Sequence, residues 1–177
     1  MRVRRRTIGA LSIPLLLAGC AAPASTPAPR PAAEETIKAA TQSLTDACLT
    51  RQGLRPPVPG QSARPGPEER RVSAALFGAG PAELSVALPT GYVVRAHTDG
   101  CLAAAQRRLY GDQRGWFRAS VIVNNLKPEA TQAHRSLAEI RARHSAEIAE
   151  WQRLRSHAFV QATDLLDNPP PTGEPQS

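Results

Sequence analysis

The chain has 177 residues, with 22 basic against 15 acidic side chains for a formal charge of +7, and only 4% of its residues are aromatic. That length suits one modest domain. Four of the 22 basic residues (Arg2, Arg4, Arg5 and Arg6) precede residue 20, which leaves 18 against 15 acidic ones and an excess of +3. The signs are also mixed, as in Glu68-Glu69-Arg70-Arg71, so the basic stripe of a polyanion-binding domain is missing and no nucleic-acid partner is expected.

The basic start is followed by an apolar run from Ile8 to Leu17 and then by Leu17-Ala18-Gly19-Cys20. Basic, apolar and small residues in that order form an export signal, and the cysteine makes the last four a lipobox. The expected signal is 1–19, cut between Gly19 and Cys20, with Cys20 carrying a diacylglycerol into the lipid bilayer. The apolar run is about half the roughly 20 residues that a spanning helix needs, and Pro14 interrupts it. One acyl chain binds a membrane only reversibly, so the two chains of a diacylglycerol suit a stable anchor. The expected address is the extracytoplasmic face of the cell membrane.

Residues 20–33 follow as the lipidated cysteine and a Pro/Ala tether, which favours extended polyproline-like conformations and reaches roughly 40 Å at about 3.1 Å per residue. The domain is expected over 34–166. Glu34 and Glu35 suit a helix N-terminus, and Ile37, Ala40, Leu44 and Ala47-Cys48 recur at helical spacing up to Gly53. A proline-rich loop covers Leu54 to Pro67, and a short helix runs from Glu68 to about Phe77, before Gly78-Ala79-Gly80. Leu84, Val86 and Leu88, then Tyr92, Val94 and Ala96, alternate on either side of Pro89-Thr90-Gly91, which predicts a hairpin at about 84–96. Thr98 or Asp99 is expected to cap a helix from Cys101 to Leu109, with Gly111 past its end. Asp112–Leu126 reads as a further helix despite its β-prone Val121-Ile122-Val123. Pro128 and Glu129 open the longest expected helix, whose stripe is Leu137, Ile140, His144, Ile148, Trp151, Leu154, Ala158 and Leu165. A disordered tail is expected over 167–177, beginning at Asn168-Pro169-Pro170-Pro171. With Cys20 lipidated, Cys48 and Cys101 remain, and in an oxidising compartment they form one disulfide. A closed loop of about 50 residues contributes about 4 kcal/mol in the chain-entropy model. The fold class is thus mainly α, a small disulfide-stapled helical domain with one β-hairpin, flanked by a disordered tether and tail.

The sequence offers no catalytic residue, metal ligand set or cofactor motif. His134 and His144 are ten positions apart on the expected long helix, about 15 Å along its axis, too far to share a metal. Glu147 and Glu150 read as a solvated helix face. No G-x-S-x-G elbow is found, and Gly78-Ala79-Gly80 is not followed by the lysine of a phosphate loop. The densest unusual cluster is Tyr110-Gly111-Asp112-Gln113-Arg114-Gly115-Trp116-Phe117-Arg118. Tyr, Trp and Arg are enriched in binding hot spots, so Tyr110, Arg114, Trp116 and Arg118 form a candidate interaction surface. The stronger reading of its rings is core, since a chain this poor in aromatics needs most of them inside.

Asp99-Gly100-Cys101-Leu102-Ala103-Ala104-Ala105-Gln106-Arg107-Arg108-Leu109-Tyr110-Gly111-Asp112, followed by Trp116-Phe117-Arg118 and Asn125-Leu126 and preceded by Asp46-Ala47-Cys48-Leu49 with Gly53, resembles a group of uncharacterised secreted proteins and lipoproteins of streptomycetes and related actinobacteria. The resemblance spans roughly Thr45 to Leu126. Arginine for all but two basic residues (Lys38 and Lys127), with 17 prolines, fits the GC-rich coding of such a source. Relatives in that group often carry a further cysteine shortly after a tryptophan in the last helix, which Trp151-Gln152-Arg153-Leu154-Arg155 lacks. The resemblance implies no activity. Three roles stay open: a non-enzymatic envelope protein that binds a protein, peptide or wall component; an envelope enzyme acting on wall or peptide; and a structural spacer or immunity-type factor. The first is the leading expectation.

Overall fold

The computed structural model of the protein describes residues 32–58, 60 and 66–168. The expected signal, the expected lipid site at Cys20, the expected tether before residue 32 and the expected tail after residue 168 lie outside these residues. Among the described residues are seven helices and one two-stranded antiparallel hairpin, and no helix among them is long and apolar enough to cross a membrane.

Helix α1 (Ala33–Arg51) begins with Glu34 and Glu35 in its first turn and buries Ile37, Ala40 and Leu49. Gly53, at φ +70°, turns the chain out of it. The next helix is α2 (Pro67–Phe77), with proline in the first position and two glutamates behind it. That placement suits both the missing proline N–H and the helix dipole. The hairpin is β1 (Leu84–Ala87) and β2 (Val93–Ala96), paired from Leu84↔Ala96 to Ala87↔Val93. Its turn closes through Gly91 N–H to Leu88 O at 2.9 Å, with Gly91 at φ +85°, a conformation that favours glycine. Helices α3 (Cys101–Tyr110) and α4 (Gln113–Asn124) follow. The β-prone Val121-Ile122-Val123 is helical, because Ala119, Val121 and Ile122 are buried by packing and packing outweighs propensity.

Two sequence expectations change. The cap of α3 is the backbone of Gly100, and no side chain caps it. Asp99 instead accepts the N–H groups of Ala79 (3.1 Å) and Gly80 (2.8 Å), in the loop after α2. Gly100 passes so close to that loop that a Cβ there would lie 2.5–2.6 Å from Gly78 N, Leu76 O and Phe77 C. This contact gives the Asp99-Gly100 pair its physical purpose. The single long helix from Pro128 is also absent: the segment forms α5 (Leu126–Gln132), α6 (Leu137–Arg143) and α7 (Ser145–Asp167). The first break has His134 at φ +51°, and α6 restarts on a reciprocal Ser136–Glu139 capping box. The S-x-x-E sequence signature of that box opposes a continuous helix. His134 and His144 therefore sit at two different helix junctions, and not on one helix.

The core has three parts. Ile37 and Ala40 of α1, Leu109 and Tyr110 of α3, and Leu154, Ala158 and Ala162 of α7 form the largest. The alanines let these helices approach closely. Ile122, Leu126, Ala130 and Ile140 form a second, against which Val86 of the hairpin packs. Leu49, Val72 and Cys101 form a third, crossed by the Cys48–Cys101 disulfide, whose Cα atoms are 5.7 Å apart. The bridge ties α1 to the start of α3, as the cysteine count implies.

Candidate functional site

Tyr110, Arg114, Trp116 and Arg118 do not share one surface. Arg114 and Trp116 are two positions apart on α4, about 200° around its axis at 3.6 residues per turn, so they face opposite sides. On one side, the Trp116 ring stacks on Tyr110 with centroids 3.8 Å apart and planes 13° from parallel. Tyr110 belongs to the largest core cluster and the half-buried Trp116 packs against it, and burial pushes the Tyr110 phenol above its ordinary range. These two rings serve packing.

The other side of α4 faces the hairpin. Arg114 and Arg118, one turn apart, border a cleft of about 300 Å³ together with Phe117, Ile122 and all four residues of β1. Side chains alternate across a strand, so a cleft touched by four successive residues, and by none of β2, follows the outer edge of β1 rather than one of its faces. The hydrogen-bond phase of the hairpin agrees. Leu88 N–H donates to Tyr92 O at 2.8 Å, and with Val86↔Val94 and Leu84↔Ala96 in register the ladder groups belong to residues 84, 86 and 88. In an antiparallel pair the alternate residues point their N–H and C=O away. Ser85 and Ala87 thus aim two donors and two acceptors at the cleft, and among the described residues these have no partner. Both residues are exposed, while Val86 closes the floor against the Ile122 cluster.

A polar chain holds one wall of this cleft. Glu129 of α5, only 4% exposed, meets His144 Nε2 at 2.9 Å and accepts from Arg143 Nη1 at 3.1 Å. His144 Nδ1 lies 3.7 Å from Glu147, and Glu147 lies 3.6 Å from Arg118. Glu147 therefore meets one guanidinium nitrogen of Arg118, whose side chain is still 69% exposed. Arg114 has no ionic partner among the described residues. Enclosed as it is, the Glu129–His144 pair joins the α5–α6–α7 junction and offers no group to the cleft. Among the described residues no group of three or more His, Cys, Asp or Glu could hold a metal ion.

A second concavity surrounds Trp151 of α7, which borders three neighbouring hollows between α7 and the helices α1, α4, α5 and α6. Arg155 lies 4.6 Å over its ring and 3.6 Å from Glu34. Placing Trp151 in a buried stripe missed this half-buried pair, although its i,i+4 spacing on a helix is the available signal.

Backbone donors from Gly80 and Ala79 hold the Asp99 carboxyl below its ordinary range. With the folded value lowered, the contact stabilises the fold above about pH 4, the unfolded aspartate value, and is lost as pH falls through the lower folded value. Asp99→Asn is expected to reduce stability at neutral pH and to flatten the acid limb, read by urea melts at stepped pH. An unchanged limb would contradict this role.

Comparison with family models, curated proteins and solved structures finds no match. The reading of the site therefore rests on its chemistry.

Proposed function

We propose that the protein is a lipoprotein, tethered through diacylglyceryl-Cys20 to the extracytoplasmic face of the cell membrane, and that it acts there by binding a protein, peptide or wall component. The observation that carries the binding role is the cleft between β1 and α4. Two exposed arginines one helical turn apart flank an uncommitted strand edge, a combination that supplies both charge and directional hydrogen bonds. Arginine in such a setting is a frequent anchor of interfaces. The address is supported by the ordered run of basic, apolar and lipobox residues through Cys20.

Two experiments separate the parts. Cys20→Ser is expected to move the protein from the membrane to the soluble fraction of cells, and undiminished membrane retention would contradict the anchor. Arg114→Glu with Arg118→Glu is expected to abolish crosslinked capture of the partner from intact cells while leaving the helical circular-dichroism signal unchanged. Capture that survives both reversals in a folded protein would contradict binding at this cleft.

A further inference from the structure

Resting on the binding role just proposed, we infer that the partner is an extended acidic peptide segment that adds a third strand to the outer edge of β1, with its acidic side chains against Arg114 and Arg118.

The backbone sets the first half of this inference. A strand edge with free N–H and C=O groups is a template for another strand, and edge addition is a recurring mode of peptide recognition. The Ser85 and Ala87 groups form such a template. The cleft runs along it, walled on the far side by α4. A strand in that cleft exchanges hydrogen bonds with Ser85 and Ala87 at the spacing of an antiparallel or parallel ladder. The four residues of β1 limit the added segment to about four residues, or about 13 Å at 3.3 Å per residue. Alternate side chains of that segment then point to opposite faces, one set over the apolar floor of Val86, Ile122 and Phe117 and the other outward.

Charge sets the second half. Arg114 and Arg118 are the ionic groups lining the cleft, and among the described residues the one acidic neighbour in contact with either is Glu147, 3.6 Å from Arg118. An incoming carboxylate at Arg114 therefore meets an uncompensated guanidinium, and charge-assisted pairs of this kind are among the stronger hydrogen bonds. The same charges disfavour the simplest rival occupant, a second copy of this chain. Pairing β1 with β1 of another molecule brings two Arg114–Arg118 walls together, and like charges across an interface are repulsive.

The probes are three six-residue capped peptides: one alternating valine and glutamate, one alternating valine and lysine, and the glutamate peptide methylated on every backbone nitrogen, so that neither of its edges can donate. They are titrated into the lipidated chain from Cys20 onward in detergent, with amide exchange read by NMR. The glutamate peptide is expected to bind and to slow exchange at Ser85 and Ala87. The lysine peptide is expected not to bind, and backbone methylation or Arg114→Glu with Arg118→Glu is expected to weaken binding by about tenfold or more. Ser85→Pro removes an outward donor without touching the ladder to β2, and is expected to weaken binding in a protein that stays folded. Equal binding of the methylated and unmethylated peptides would overturn strand addition. So would protection elsewhere than Ser85 and Ala87, or no binding at all. Protection of those two amides that rises with protein concentration alone would overturn it in favour of a second copy. If the peptides fail while cellular capture still depends on Arg114 and Arg118, the binding role stands and only the acidic-strand partner is lost.

Discussion

Serine at both Cys48 and Cys101 lowers the stability of the folded unit by about 4 kcal/mol, the largest single loss expected from any pair of residues here. The two cysteines are 53 positions apart in the chain, so the bridge removes considerable freedom from the unfolded state. It also crosses the smallest of the three core clusters, at the C-terminal end of α1 and the start of α3. The third core cluster has only Leu49, Val72 and Cys101 fully inside, and Cys101 is 1% exposed. Urea denaturation of the double variant, or of the reduced wild type, measures the difference. A loss under about 1 kcal/mol would mean that the helices hold α1 to α3 without the bridge.

Glu129→Ala is expected to cost about 3 kcal/mol, in the range for breaking an enclosed ionic or hydrogen-bonded pair by removing one partner. The carboxyl has both oxygens engaged, one by His144 and one by Arg143, at the junction where three helices replace one. His144→Ala is expected to cost a comparable amount, since it leaves the enclosed Glu129 with Arg143 alone. The double variant should then cost clearly less than the sum of the two, because each single change already breaks the same contact. Additive losses in urea melts would show that the residues act separately. The same variants bear on the cleft: Glu147 bridges His144 and Arg118, so loss of His144 loosens the hold on Arg118.

Much of this architecture was legible in the residues, because local signals and packing agree. Leu84, Val86 and Leu88 alternate into a Pro-Thr-Gly turn, and that pattern alone places the hairpin. Glu34-Glu35 and Gly53 mark the ends of α1, and Gly111 marks the end of α3. The long-helix expectation was wrong because an apolar stripe can continue across a break. Leu137 and Ile148 pack on one cluster and Leu154 and Ala158 on another, while the Ser136–Glu139 box and the left-handed His134 turn the chain between α5 and α6. Its position before Cys101 makes Asp99 read as a cap of the nearest helix, whereas its partners are about twenty positions away. No local pattern reveals such a contact.

The cleft was half legible. Arg114 and Arg118 stand out in the sequence, and their separation from Trp116 follows from helix geometry once α4 is accepted. Which edge of the hairpin lies beside α4 depends on tertiary packing, and so does the presence of unpaired groups at Ser85 and Ala87. Those facts turn a pair of arginines into a site with direction.

The most direct measurement places a photo-crosslinking residue at Ala87, on the rim of the cleft, or at Arg71, an exposed residue of α2 outside it, and irradiates intact cells. Binding at this cleft predicts a discrete adduct from position 87, lost when Arg114 and Arg118 are replaced by glutamate, and none from position 71. No adduct at 87, or an adduct there indifferent to both arginines, would contradict it.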